Sequence, residues 1–432
     1  MPTAPNHNPT PPLTTNQVRG FWAAWAGWTL DGMDSFIYAL VLVPAMRDLL
    51  PASGIAPTAA NTGYYGGILF ALFLIGWGCA AVWGPIADRF GRVRTLMLTI
   101  LVYSLFTFLG CIAGSIWQLA LFRFLAGVGI GGEWTLGGVL IAEEWPESRR
   151  QQGAAWMHTG YYFGTFLAGL LNYVIGAHYG WRAMFAVGGA PALLVAFIRY
   201  GVTEPERWKK KISATGQTLR AGTAFATLFS PLYRRRTLLN AAYLFISMVG
   251  LWAGSVYVPG AVTQIATRQG HTAPEAAKLA SWATMLLSAG TIVGCLFVPG
   301  LAARFGRRAA LGFYYTLMAI FIAVGFGYVF YLPAALLPFI VCLFFLGIGG
   351  ASFCVFTLWL PEQYPTECRA SAFAFATSSG RFLAAGITFI VGAGVSSYGS
   401  IGVPVAFTAI AFVAGLFLLP FGEETKDKPL PA

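Results

Sequence analysis

Apolar and polar positions alternate along this chain on a coarse scale, as long apolar runs separated by short charged turns. The runs lie roughly at 20–44, 61–83, 95–114, 117–141, 152–178 and 182–201, and then at 238–260, 276–299, 309–331, 333–358, 369–395 and 402–421. A helix needs about 20 apolar residues to cross the hydrocarbon core of a bilayer. The pattern therefore predicts an all-α membrane protein of twelve transmembrane helices in two six-helix halves. Between the halves, Lys209, Lys210, Lys211, Arg234, Arg235 and Arg236 flank a weakly amphipathic middle, which reads as a linker with short helical pieces at the membrane surface. The expected organisation is a disordered lead at 1–19, a first bundle at 20–202, a linker at 203–237, a second bundle at 238–422 and a tail at 423–432. The lead is rich in Pro, Thr and Asn without a cleavage-site pattern, so the first helix is expected to act as its own insertion signal.

Charge then fixes the expected orientation. Alternating the helices gathers the turns at 84–94, 143–151, 203–236, 302–308 and 361–369 on one side, and with Arg199 these hold about 18 of the 27 Lys and Arg. The opposite turns carry Arg47, Arg182, Arg268 and Lys278, so the positive-inside rule places both termini in the cytoplasm. A chain that is 57% hydrophobic and 10% charged, with mean hydropathy +0.67, is excluded from the soluble class. Its net charge of +11 belongs to topology rather than to nucleic-acid binding. The six cysteines show neither CxxC nor His-Cys metal spacing and read as reduced, packed thiols. With only His7, His158, His178 and His271, the chain contains neither HExxH nor a nucleophile elbow, and no P-loop, which disfavours an enzyme or an ATP-driven pump. A non-transporting nutrient sensor would call for a long folded cytoplasmic extension, and the tails are short.

The candidate chemistry sits inside the helices. Asp31 and Asp34 lie in the middle of the first run, three apart and so on one helical face. A carboxylate at such a depth costs on the order of 3 kcal/mol, so the pair is either a proton or substrate site or a structural pair neutralised by an arginine. The fourth run carries Arg123 and Glu133, about 15 Å apart at helical rise. Counted from the cytoplasmic ends, Asp34 and Arg123 lie about 21 and 27 Å up their helices, Asp31 and Glu133 about 16 and 12 Å. Each acid of the first helix thus has a partner at similar depth if the two helices are neighbours. A carboxyl that switches between acidic and basic surroundings binds a proton in one state and releases it in the other, and Asp31, Asp34 and Glu133 would titrate as a set. Arg381, near the midplane of the eleventh helix, is either a carboxylate clamp or a gating arginine tied to backbone carbonyls. His158, Tyr161, Asn240 and Tyr243 are candidates for the cavity wall, against packing or interfacial roles. Glycines 127, 129, 131, 132, 137 and 138 read as close helix packing, and most aromatics as lipid-facing or interfacial.

The two halves also repeat. Asp88-Arg-Phe-Gly-Arg92 recurs as Ala303-Arg-Phe-Gly-Arg307, offset by 215, and Glu143-Glu-Trp-Pro-Glu-Ser-Arg-Arg150 as Glu362-Gln-Tyr-Pro-Thr-Glu-Cys-Arg369, offset by 219. Asp88, Arg89, Arg92, Glu143, Arg150, Arg304, Glu362 and Arg369 in these turns are candidate gating residues. The turn at 84–94 resembles the signature turn between helices 2 and 3 of the major facilitator superfamily, and Glu204-Pro-Glu-Arg-Trp208 is similar to a motif of its sugar and acid porters. Leu30-Asp-Gly-Met-Asp34, Gly131-Gly-Glu-Trp134 and Ala142-Glu-Glu-Trp-Pro-Glu147 resemble its proton-coupled symporters for sialic acid and lactate-type carboxylates. Related aromatic-acid symporters share the two acids of the first helix but not the Gly-Gly-Glu-Trp run. The resemblance implies alternating access and a latch in which Asp88 holds the N-terminus of helix 11, one-sided because Ala303 replaces the acid in the second half. The function expected is proton-coupled symport of a small organic anion, a monocarboxylate, acidic sugar or aromatic acid, by a monomer in the bacterial inner membrane. It would be driven by the proton gradient with no cofactor. An efflux antiporter or sugar porter of the same superfamily is the alternative.

Overall fold

A computed structural model describes residues 12–83, 86, 90–190, 198, 201, 203, 226–250, 256–364, 368–428 and 431. Among them the chain is helical, without a strand. The first half contains α1 (Thr15–Ala52), α2 (Ala59–Gly78), α3 (Arg92–Leu109), α4 (Ile116–Glu144), α5 (Glu147–Leu171) and α6 (Ala177–Val187). The second contains α7 (Arg234–Met248), α8 (Val258–Arg268), α9 (Ala273–Phe305), α10 (Arg307–Gly327), α11 (Leu336–Gly350), α12 (Ser352–Trp359), α13 (Arg369–Tyr398), α14 (Gly402–Ala406) and α15 (Ala409–Leu418). Nine helices among the described residues are long and apolar enough to cross a bilayer. The predicted runs at 152–178, 182–201 and 238–260 make up the twelve: α5 is long but opens with six consecutive polar residues at 147–152, and the other two continue into residues outside the described set.

Several boundaries move for local reasons. A capping box starts α1 at Thr15 rather than 20, with Thr14 Oγ1 accepting from Gln17 N–H and Gln17 Oε1 accepting from Thr14 N–H. The same helix runs through Pro44, where its apolar run ends, to Ala52. Neighbouring helices make such a proline tolerable in a membrane. Gly180 (φ 82°, ψ −177°) turns the chain between the fifth and sixth spans. The tenth span is broken at Ala351, where Cys354 N–H goes to the Ala351 carbonyl instead of continuing the α-helical ladder.

Within the first half α1 packs on α5 and α4, and α4 on α2 and α3; the halves meet along α2–α13 and α5–α9. The glycine run of α4 does what close packing requires. A Cβ on Gly127 would lie 2.3 Å from the Phe73 carbonyl oxygen, and one on Gly129 2.6 Å from Tyr103 N. Between the halves, Asn172 Nδ2 donates to Ser281 Oγ at 3.0 Å, and Gly67 lies against Gly392. The glycines of the two repeated turns share one backbone conformation: Gly91 has φ 107° and Gly306 φ 90°, the positive-φ region glycine tolerates. Asp88 and Arg89 lie outside the described residues, as do the side chains of Arg92, Glu143, Arg150 and Arg369.

Candidate functional site

Depth along a helix is residue number times rise, so residues of like depth on neighbouring helices can meet. Arg123 Nη1 lies 3.4 Å from both Asp34 oxygens, with the two side chains 1% and 0% exposed. The contact is long for a charge-assisted bond. Arg123 also lies 4.2 Å from the Phe73 ring centroid and 5.4 Å from that of Tyr38, which supply cation–π attraction. Two turns toward the start of α1, Glu133 fills the space opposite Gly27, where a Cβ would fall 1.6 Å from its Oε1. Asp31 and Glu133 thus adjoin, both buried, yet among the described residues their oxygens meet no well-aligned hydrogen-bond donor.

Beside this acid pair lies Arg381 of α13, 4% exposed. Its guanidinium stacks over Trp77 at 4.3 Å and faces Trp134 at 5.5 Å. Among the described residues no backbone carbonyl takes a hydrogen bond from its Nε. Trp28 stacks on Trp134 at 5.6 Å and 21° and meets Tyr161 at 4.9 Å. Among the described residues, the Nε1 atoms of Trp28 and Trp134 and Nε of Arg381 are buried donors without a partner. Together with His158, Tyr162, Met248 and Phe353 these side chains enclose a cavity of about 20 Å³, room for roughly one water. His158 Nδ1 also meets Thr357 Oγ1 of the other half at 3.4 Å.

His158 and Tyr161 therefore line the cavity; Asn240 and Tyr243 do not. Asn240 donates to Gln363 Oε1 (3.0 Å) and Tyr364 Oη (3.1 Å), and Tyr243 donates to the Leu418 carbonyl (2.8 Å). Both turn into their own bundle, away from the centre. The aromatics are corrected too. Trp22, Trp117, Trp156 and Trp282 face outward as expected, but Trp28, Trp77 and Trp134 form the cavity wall. Their signal was adjacency: Trp28 lies three residues before Asp31, and Trp134 follows Glu133.

At the end of the molecule where α1 begins, a second polar cluster ties down the second half. Glu362 takes two bonds from Arg307, Nη2 at 2.7 Å and Nε at 2.9 Å, and one from Thr425 Oγ1 at 2.5 Å. Arg304, expected in this cluster, instead lies over its neighbour Phe305 at 5.3 Å. Gly306 turns the chain between the two arginines, and Arg307 is the repeat partner of Arg92. Glu424 caps the start of α10, accepting from Arg307 N–H (2.9 Å) and Arg308 N–H (3.2 Å), where Ala303 offers no carboxylate. Burial pushes the Glu424 carboxyl up, but backbone N–H groups of Arg307, Arg308, Lys426 and Thr425 outweigh it and hold the carboxyl below the usual glutamate range.

A twelve-span pair of bundles with its polar groups gathered at the interface between them is a transporter architecture, and sequence comparison agrees. Residues 24–277 match the profile of the Major Facilitator Superfamily. The chain belongs to that superfamily. Its fold is that of a D-xylose-proton symporter, superposed with a TM-score of 0.75 at 19% identity over 96% of this chain and 100% of the other. Among superfamily relatives, a probable 4-methylmuconolactone transporter of Cupriavidus pinatubonensis is 29% identical over 94% of this chain and 90% of its own length. A niacin transporter of Acinetobacter baylyi is 26% identical over 95% and 94%. The chain is thus an integral, multi-pass transporter and not an enzyme.

Proposed function

We propose that this transporter is a proton-coupled symporter for small aromatic carboxylates, working by alternating access in the bacterial inner membrane with both termini in the cytoplasm. The observation that carries the reading is Arg381, a buried guanidinium between Trp77 and Trp134 with Nε unpartnered. A guanidinium fork matches a carboxylate, the unpartnered indole N–H groups of Trp28 and Trp134 add donors, and the ring faces suit an aromatic body. Niacin, named for one relative, is a pyridine carboxylate. The cavity is far smaller than such a molecule, so uptake requires the halves to part.

Charge balance supports the coupling. Arg123 is engaged by Asp34, which leaves Arg381 as the cation within reach of Asp31 and its neighbour Glu133. An anion arriving at Arg381 adds negative charge within low-dielectric walls, and a proton on the Asp31–Glu133 pair offsets it. In proteoliposomes, benzoate or nicotinate should accumulate only with an inward proton gradient, and benzamide should not be carried. Asp31→Asn and Glu133→Gln should stop accumulation while counterflow persists. Gradient-independent accumulation, or equal transport of benzamide, would overturn the proposal.

A further inference from the structure

A second cavity of about 20 Å³ lies beside the first, between the two halves. Its apolar wall comes from Phe36, Leu287, Met318 and Leu346, and its polar groups are the hydroxyls of Thr165, Ser288 and Thr291. Tyr162 borders both cavities and so forms the partition between them. Among the described residues the Tyr162 hydroxyl makes one hydrogen bond, Oη–H to the Gly350 carbonyl at 3.2 Å. That carbonyl is open to Tyr162 because the helix breaks at the next residue: Cys354 N–H, which an unbroken helix would direct to Gly350, goes to Ala351 instead. Interrupted helices near the midplane are where transporters place ligand contacts.

The hydrogens of the chamber can be counted. Each hydroxyl has one to give. Thr165 directs its hydrogen to the Tyr162 carbonyl (2.9 Å), Ser288 to that of Thr284 (2.8 Å) and Thr291 to that of Leu287 (3.1 Å). Thr165 Oγ1 and Ser288 Oγ nevertheless lie 2.6 Å apart, a spacing that needs a hydrogen one of them must withdraw from its carbonyl. The chamber is therefore rich in acceptor lone pairs and short of donors.

We propose that the two cavities are parts of one substrate site divided by Tyr162, and that the second selects a hydrogen-bond donor carried across an aromatic ring from the carboxylate. A phenolic hydroxyl or ring amine is the chemical class. Its hydrogen goes to a free lone pair of Ser288 or Thr165, so the substrate supplies the donor this acceptor-rich chamber lacks while both hydroxyls can keep their own hydrogens on the Thr284 and Tyr162 carbonyls. When substrate enters, the Tyr162 side chain leaves Gly350 and the ring occupies the gap. This rests on the aromatic-carboxylate reading above, and the test separates the two.

Binding of benzoate, 4-hydroxybenzoate, 4-aminobenzoate and 4-methoxybenzoate to the purified full-length transporter is measured by isothermal calorimetry. The donor-bearing acids should bind about tenfold tighter than benzoate, a difference of about 1.4 kcal/mol. The methoxy compound, an acceptor without a hydrogen, should gain nothing. Ser288→Ala and, separately, Thr165→Val should remove the advantage, so that within each variant benzoate and 4-hydroxybenzoate bind alike, and a monodisperse chromatographic peak reports that each variant is folded. If wild type binds benzoate and 4-hydroxybenzoate alike, or if both variants weaken the two equally, the donor subsite is wrong and the aromatic-carboxylate reading stands. If none of the acids binds, both fall.

Discussion

The buried Asp34–Arg123 pair offers a quantitative test of how the first bundle is held together. Removing one partner of a buried pair typically costs 3–5 kcal/mol, because the other charge is left without its counterion. In Asp34→Asn, Arg123 keeps the faces of Phe73 at 4.2 Å and Tyr38 at 5.4 Å. Those contacts retain up to about 2 kcal/mol, so the net loss should be about 2 kcal/mol. Arg123→Gln leaves the carboxyl with no cation at all, but a carboxyl can take up a proton whereas a guanidinium stays charged. Its penalty should therefore shrink as the pH falls from 8 to 5, while that of Asp34→Asn should not. The double variant removes both charges and should recover most of the loss, with a coupling energy of about 1–3 kcal/mol. Thermal unfolding of the four proteins in one detergent, read by loss of the monodisperse chromatographic peak, gives the cycle. Additive losses in the double variant, or an Asp34→Asn penalty that vanishes at acid pH, would refute the argument.

Arg381→Lys should weaken carboxylate binding about tenfold, because a point charge replaces a planar fork and loses the stacking on Trp77, and Arg381→Gln should weaken it further; equilibrium binding of benzoate measures both, and a Lys variant indistinguishable from wild type would remove Arg381 as the anion clamp. Glu424 is held below the usual glutamate range, so its cap on α10 should contribute stability above the ordinary glutamate pKa of about 4.3 and lose it as the pH falls through the lower folded value. Glu424→Gln should accordingly be less stable than wild type at pH 7 and converge with it below that window, as thermal unfolding across pH will show. A gap that persists at acid pH would mean that the glutamate acts by packing rather than by charge.

How much of the site could be read in advance differs residue by residue. Asp34 and Arg123 were legible as partners because both facts needed, position within an apolar run and rise per residue, are properties of the linear chain. The adjoining of Asp31 and Glu133 followed from the same count. Asn240 and Tyr243 were misplaced because depth says nothing about rotation. The polar face of α7 turns to Gln363, Tyr364 and the Leu418 carbonyl inside its own bundle. The same limit hides Tyr162 beside Tyr161, since adjacent helical residues differ in rotation and not in depth. The partner of Glu362 was hidden by a turn: Arg304 and Arg307 are three residues apart, and the positive-φ glycine between them sends only Arg307 toward the acid.

The sequence by itself determined the membrane class, the number of spans, the two-fold repeat and the acids and arginines set deep within helices. Each of these follows from hydropathy, length and local charge, whose energies are set by residue and solvent before any helix meets another. Tertiary structure alone decided which faces turn inward, that tryptophans form the wall around Arg381, that the tenth span breaks at Ala351, and that one tyrosine divides two cavities. These depend on helix rotation and side-chain interlock. In a bilayer, where lipid is as apolar as most side chains, close packing and satisfied polar groups rather than hydropathy select the rotation, and that selection involves residues far apart in the chain.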